Sequence, residues 1–133
     1  MDCPIDGSVL SLCEAIAREL DDAVDCDHLK KFCDKYLKNK DYVNVTISRL
    51  LSDLHLGMLM VDNLQNLGGV KKRVAVETLC FLSHMSKSRD IPVVYMGTPV
   101  LQDLVQNDLS MALQLTGDGE IIMETLKNNS YWG

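Results

Sequence analysis

Apolar side chains return every three or four positions along residues 9–24, at Val9, Leu12, Cys13, Ile16, Leu20 and Val24. That spacing lines one face of a helix. Ser8 stands where an N-cap hydroxyl is wanted, so the pattern predicts a helix from Ser8 to about Asp25. HLKKFCDKY (28–36) reads as a short basic helix ending near the polar KNKD run at 38–41. Asp41 is the expected cap of a third helix, whose stripe is Val43, Ile47, Leu50, Leu51 and Leu54. His55-Leu56-Gly57 closes it, with Gly57 suited to a helix C-terminus.

The pattern then changes. MLMV (58–61) is a continuous apolar run without alternation, as expected of a parallel strand covered on both faces. NLQNLGG (63–69) reads as a loop, and a helix follows from about Lys71 to Arg89 with Val74, Leu79, Leu82 and Met85 among its inner positions. IPVVYM (91–96) is a second strand of the buried type, ended by Gly97; Thr98 and Pro99 then open another helix at its N-cap and first position. This alternation of strand and helix predicts an α/β fold with a parallel sheet and right-handed crossovers. Further on, LTGDGEII suggests a turn around Gly117-Asp118-Gly119. No internal repeat or low-complexity segment interrupts the chain.

Composition narrows the classes. At 133 residues the chain has the length of one domain, and 47% hydrophobic with 24% charged residues is ordinary for a globular protein. Only 5% is aromatic, which leaves little material for base-stacking platforms. A formal net charge of −6 argues against a nucleic-acid binder that uses its whole surface, though not against a local basic patch. No apolar run approaches the roughly 18 residues a membrane helix needs, and MDCPIDGS lacks the basic and apolar regions of a secretory signal. Five cysteines form an odd set without a CxxC pair and fall mostly on apolar helical positions, which fits reduced thiols in a cytoplasmic protein. The glycosylation-like triplets at Asn44 and Asn128 then carry no meaning.

The candidate chemistry gathers at strand ends. Asp62 follows the first strand, at the carboxyl end where open α/β sheets bind ligands. There it can orient magnesium beside a nucleotide phosphate; position alone also fits a polar residue that merely starts a loop. Thr98 ends the second strand, where its hydroxyl can face a phosphate, but a helix N-cap is already a sufficient role. Cys26-Asp27-His28 with Cys33 matches no common zinc spacing. The LKKFCDKYLKNK run and Lys71–Arg73 are positive clusters that fit phosphate contact or a solvated helix face. No nucleophile elbow, HExxH motif or GxxxxGK followed by Ser or Thr occurs in the sequence.

Four segments in order resemble the TnsC/TniB group of AAA+ ATPases, the ATP-dependent target-selection regulators of bacterial DNA transposition. They are DCPIDGSVLSLC (2–13), LGMLMVDNLQNL (56–67), IPVVYMGTP (91–99) and LTGDG with LKNNSYW (115–132). The resemblance spans essentially the whole chain. It implies one partial AAA+ domain over residues 1–133, with a P-loop NTPase-like three-layer fold running from the Walker B strand to the C-terminal part. By resemblance, Asp62 is the Walker B aspartate associated with magnesium, and Asn63 falls where the family has the glutamate that activates water. Thr98, or its neighbour Gly97, lies at the sensor-1 position. The place of the family's arginine pair holds Leu113 and Gln114. A P-loop is expected before residue 1.

An amide cannot accept a proton as a general base. The resemblance therefore implies a truncated ATPase-like regulator of transposition that does not hydrolyse ATP by itself. ATP and Mg2+ are the family's cofactors but are not expected to bind productively to this chain alone. Transposase subunits and target DNA are the partners the resemblance implies. The alternative is a non-catalytic module that associates with an intact AAA+ homologue or with itself, because losing the P-loop strand leaves the apolar edge of IPVVYM open. A third reading, an unrelated flavodoxin-like domain, lacks a recognisable phosphate loop after a first strand.

Overall fold

A computed structural model of the chain describes residues 1–36, 39–102 and 121. The turn at Gly117-Asp118-Gly119, Leu113, Gln114 and Lys38 lie outside them. Helix α1 spans Val9–Ala23, starting one residue after the expected cap. Ser8 is extended (φ −84°, ψ 147°), and its Oγ accepts from the Ser11 N–H at 3.2 Å. Asp6 braces this start, its Oδ2 accepting from the hydroxyls of Ser8 at 2.9 Å and Ser11 at 2.7 Å. The turn ahead of α1 depends on Gly7, with φ +58°, where a Cβ would lie 3.0 Å from both Leu67 and Val70.

Helix α2, His28–Tyr36, has the bounds the sequence predicts, and its first turn is capped from a distance. Asp21, only 3% exposed, accepts from the Leu29 N–H at 3.1 Å and the Lys30 N–H at 2.8 Å, while the Cys26 thiol donates to it at 3.2 Å. Three donors offset the removal of this carboxylate from water. Phe32, Tyr36 and Tyr42 then join α2 to the start of the next helix, with ring centroids 4.9–5.7 Å apart.

Helix α3, Lys40–Asp53, departs from expectation at both ends. Its cap is Asn39, whose Oδ1 accepts from the Tyr42 N–H at 3.2 Å, and Asp41 falls inside the first turn. At the other end His55, not Gly57, takes the left-handed position, with φ 51°. The Leu56 N–H donates to Leu51 O and the His55 N–H to Ser52 O, the paired closure of a Schellman motif, which leaves Gly57 two residues too late to cap.

Strand β1 (Leu59–Val61) pairs in parallel with β2 (Val93–Tyr95), in register Leu59 with Val93 and Val61 with Tyr95. A short 3-10 helix, Leu64–Gly69, and helix α4, Lys72–Arg89, connect them. Ala75, Thr78, Leu79, Leu82 and Met85 are the buried line of α4, whereas Val74 is only partly covered. Helix α1 packs against α2, α3 and α4, and α4 lies on β2. Leu12, Ile16, Ile47, Leu51, Val61, Leu79 and Leu82 are sealed between these elements, each stabilising the fold by about 1.5–3 kcal/mol.

Expected burial on both faces of the first strand is not met among the described residues. Leu59 and Val61 are buried, but Met60 between them is 46% exposed and Val94, its partner in register, 37%. The described elements thus form a helical layer on one face of a parallel sheet, which fits part of an AAA fold; a third layer is not formed by these residues. No helix among them is long and apolar enough to cross a membrane.

Desolvation pushes the Asp21 carboxyl up, but the bonds from Lys30, Cys26 and Leu29 and the nearby His28 outweigh it, so it titrates below the ordinary carboxylate range. A lowered folded value contributes stability that is present above the unfolded pKa, about 3.9, and is lost as pH falls through the folded value. Urea midpoints of the wild type should therefore drop below about pH 4, and Asp21→Asn should be less stable at pH 7 with a flatter decline. Parallel decline in both proteins would contradict this role.

Candidate functional site

The carboxyl ends of β1 and β2 meet where both strands turn into loops. Met96 N–H donates to Val61 O at 2.8 Å, and Leu64 N–H returns to Met96 O at 3.1 Å, so the two loops leave the sheet already tied together. Asn63 makes the turn in the left-handed region (φ 55°, ψ 35°), which asparagine tolerates better than most residues. Leu64 and Leu67, both buried, hold the 3-10 helix against the core behind it.

On the other edge of β1 lies the start of the chain. Asp2 forms a parallel bridge with Asp62; the Asp62 N–H donates to Met1 O at 2.9 Å and the Cys3 N–H to Asp62 O at 2.7 Å. Asn66 Nδ2 donates to Cys3 O at 2.8 Å, and the Thr78 hydroxyl of α4 donates to Gly7 O. Residues 1–3 are thus a third extended piece beside β1, and the rest of DCPIDGS is a turn anchored to the core.

Polar side chains then cross the strand ends. The Asp62 Oδ1 accepts from the Asn63 N–H at 2.7 Å. Asn63 Nδ2 donates to Asp2 Oδ1 at 3.2 Å, and Asn63 Oδ1 accepts from Gln65 Nε2 at 3.1 Å. Gln65 Oε1 accepts from the Thr98 N–H at 3.2 Å. A turn opens from Thr98, with Leu101 N–H donating to Thr98 O at 2.9 Å. The three residues singled out in the sequence, Asp62, Asn63 and Thr98, are gathered in one place. Asp2 and Gln65, which sequence reasoning missed, are what join them. Gln65 sits two residues past Asn63, but Asp2 is 61 residues away, and no local pattern announces that pairing.

Asp62 and Asp2 are the two carboxylates at this corner. Magnesium is commonly held by one or two carboxylates with substrate phosphates completing its shell, so the pair fits a phosphate-bearing ligand better than a metal cage made of protein alone. Among the described residues no group of three or more His, Cys, Asp or Glu is placed to hold a metal. Cys26 is instead bonded to Asp21, and Cys33 is buried. Burial, with Asp6 nearby, pushes the Cys3 thiol up to about 11, and burial pushes Cys13 up to about 12, so neither is a nucleophilic thiolate near neutral pH. An open groove of about 620 Å³ runs along the N-terminal segment, walled by Ser11, Glu14 and Arg18 of α1 and reaching Asn63 and Asn66.

The two positive clusters singled out in the sequence fall on α2 and at the start of α4. Lys31 pairs with Asp27 at 2.6 Å, Arg73 with Glu77 at 3.3 Å, and Lys35 Nζ lies 5.4 Å from the Tyr36 ring centroid. These ion pairs are solvent-exposed, where such contacts are weak and can be exchanged for others.

Parallel strands joined through a helix, with polar groups collected at their carboxyl ends, define an open α/β protein, and the carboxyl ends are where such sheets bind ligands. Residues 1–105 match the family model described as AAA domain, and the chain belongs to that family. A comparison with curated proteins finds no match.

Gly97 has a specific task here. A Cβ at this position would lie 2.9 Å from Gln65 Oε1 and 3.0 Å from the Leu101 side chain. Gly97→Ala should therefore push the Gln65 amide off the Thr98 N–H while leaving the fold intact, visible as a shift of the Thr98 amide resonance with little change in melting. An unmoved Thr98 resonance would show that the contact is not tight.

Proposed function

We propose that the chain is part of a nucleotide-dependent AAA regulator of DNA transposition, of the TnsC/TniB kind, in which the Asp62 strand end does not drive hydrolysis by itself. The observation that carries this reading is Asn63. It occupies the place where the resembling proteins carry the glutamate that activates water, and its side chain is committed to Asp2 and Gln65. Asp62, directly or through a water, would hold magnesium, which when bound supplies charge neutralisation at the phosphates. Thr98 would direct its hydroxyl toward the same phosphates. An asparagine at 63 can hydrogen-bond a water but cannot take its proton.

The partners in this reading are transposase subunits and target DNA. Lys30, Lys31, Lys35 and Lys71–Arg73 would carry salt-dependent contacts to DNA phosphates. A second reading, a non-catalytic module that joins an intact AAA homologue, is favoured by the exposed Met58, Met60 and Val94, apolar side chains at 50%, 46% and 37% exposure on and beside the strands.

Purified protein given MgATP should release phosphate only at background rate. Asn63→Glu should leave that rate unchanged, because a base at this position does not replace the phosphate-cradling loop that no segment of the sequence matches. Phosphate release that disappears on Asp62→Ala would contradict the proposal.

A further inference from the structure

Three side-chain hydrogen bonds cross the strand ends, and all run in the same direction. The Thr98 N–H donates to Gln65 Oε1 at 3.2 Å, Gln65 Nε2 to Asn63 Oδ1 at 3.1 Å, and Asn63 Nδ2 to Asp2 Oδ1 at 3.2 Å. The two ends fix the polarity. A backbone amide only donates and an ionised carboxylate only accepts, so both side-chain amides between them are held in a single orientation. Each link polarises the next toward the negative charge of Asp2.

We infer that Asn63 and Gln65 form an amide relay that couples the N-terminal segment to the Thr98 loop, with Asp2 setting its direction. An amide at 63 is then a requirement and not only a lost acid. A carboxylate there still accepts from Gln65, but it has no hydrogen to give Asp2 and places a like charge beside it. The left-handed backbone at 63 and the absence of a Cβ at 97 both make room for this arrangement. The consequence is a two-way connection. A cation that draws Asp2 away from Asn63 is sensed at Thr98, and a ligand that takes the Thr98 N–H loosens Asp2. The relay stands on these three hydrogen bonds and does not depend on which ligand the strand ends receive.

The test is amide NMR on the full chain, reading the Thr98 N–H. Asn63→Gly, which keeps the left-handed backbone but removes the side-chain amide, should move its resonance and speed its hydrogen exchange by about fivefold, the effect of weakening one ordinary hydrogen bond. Asp2→Ala, at an exposed position where folding is not at stake, should shift Thr98 in the same sense. In a Gln65→Leu background none of these changes should reach Thr98. A Thr98 amide indifferent to both Asn63→Gly and Asp2→Ala, or equally responsive without Gln65, would overturn the relay.

Discussion

Two backbone hydrogen bonds, from the Asp62 N–H to Met1 O at 2.9 Å and from the Cys3 N–H to Asp62 O at 2.7 Å, clamp the first residues of the chain along the end of β1. Their consequences reach both the core and the site. An isolated pair of strands is marginal in water, and β1 would have β2 as its sole neighbour among the described elements. The N-terminal segment supplies the second neighbour, places β1 centrally, and brings Asp2 level with Asp62.

The turn that follows explains the composition of DCPIDGS. Gly7 at φ +58° lets the chain reverse against Leu67 and Val70, and the Thr78 hydroxyl holds its carbonyl to α4. Asp6 and Ser8 then start α1. Asp6, Gly7 and Ser8 of this segment are thus explained by the way it joins a strand to a helix. The direct contribution to the candidate chemistry comes from Asp2 through its bond to Asn63.

Local signals carried most of the helices. Ser8 and the stripe behind it set α1, and the bounds of α2 follow from the basic amphipathic stretch itself. The misplacements occurred where two residues competed for one role. Asn39 and Asp41 can both cap a helix, and the earlier one reaches the Tyr42 N–H. Gly57 looked like the natural stop, yet His55 accepted the left-handed backbone because the Schellman bonds close there. The apolar run 58–61 could not say which of its faces meets a helix, since Met60 is as hydrophobic as its buried neighbours. Asp62, Asn63 and Thr98 stand out in the sequence because strand ends are legible, and the structure brings them together. Asp2 and Gln65 do not stand out, since their roles arise only when segments distant in sequence become adjacent.

In this AAA domain the residue after the strand-end aspartate is an amide whose side chain is hydrogen-bonded on both sides, to Asp2 and to Gln65. The account rests on the N-terminal segment behaving as a strand of the sheet. Native-state hydrogen exchange resolved by residue tests that most directly. The Cys3 and Asp62 amides should be protected to the same degree as those of Leu59 and Met96, which bridge β1 and the β2 segment at 2.8 Å. Free exchange at Cys3 and Asp62 while Leu59 and Met96 stay protected would contradict it.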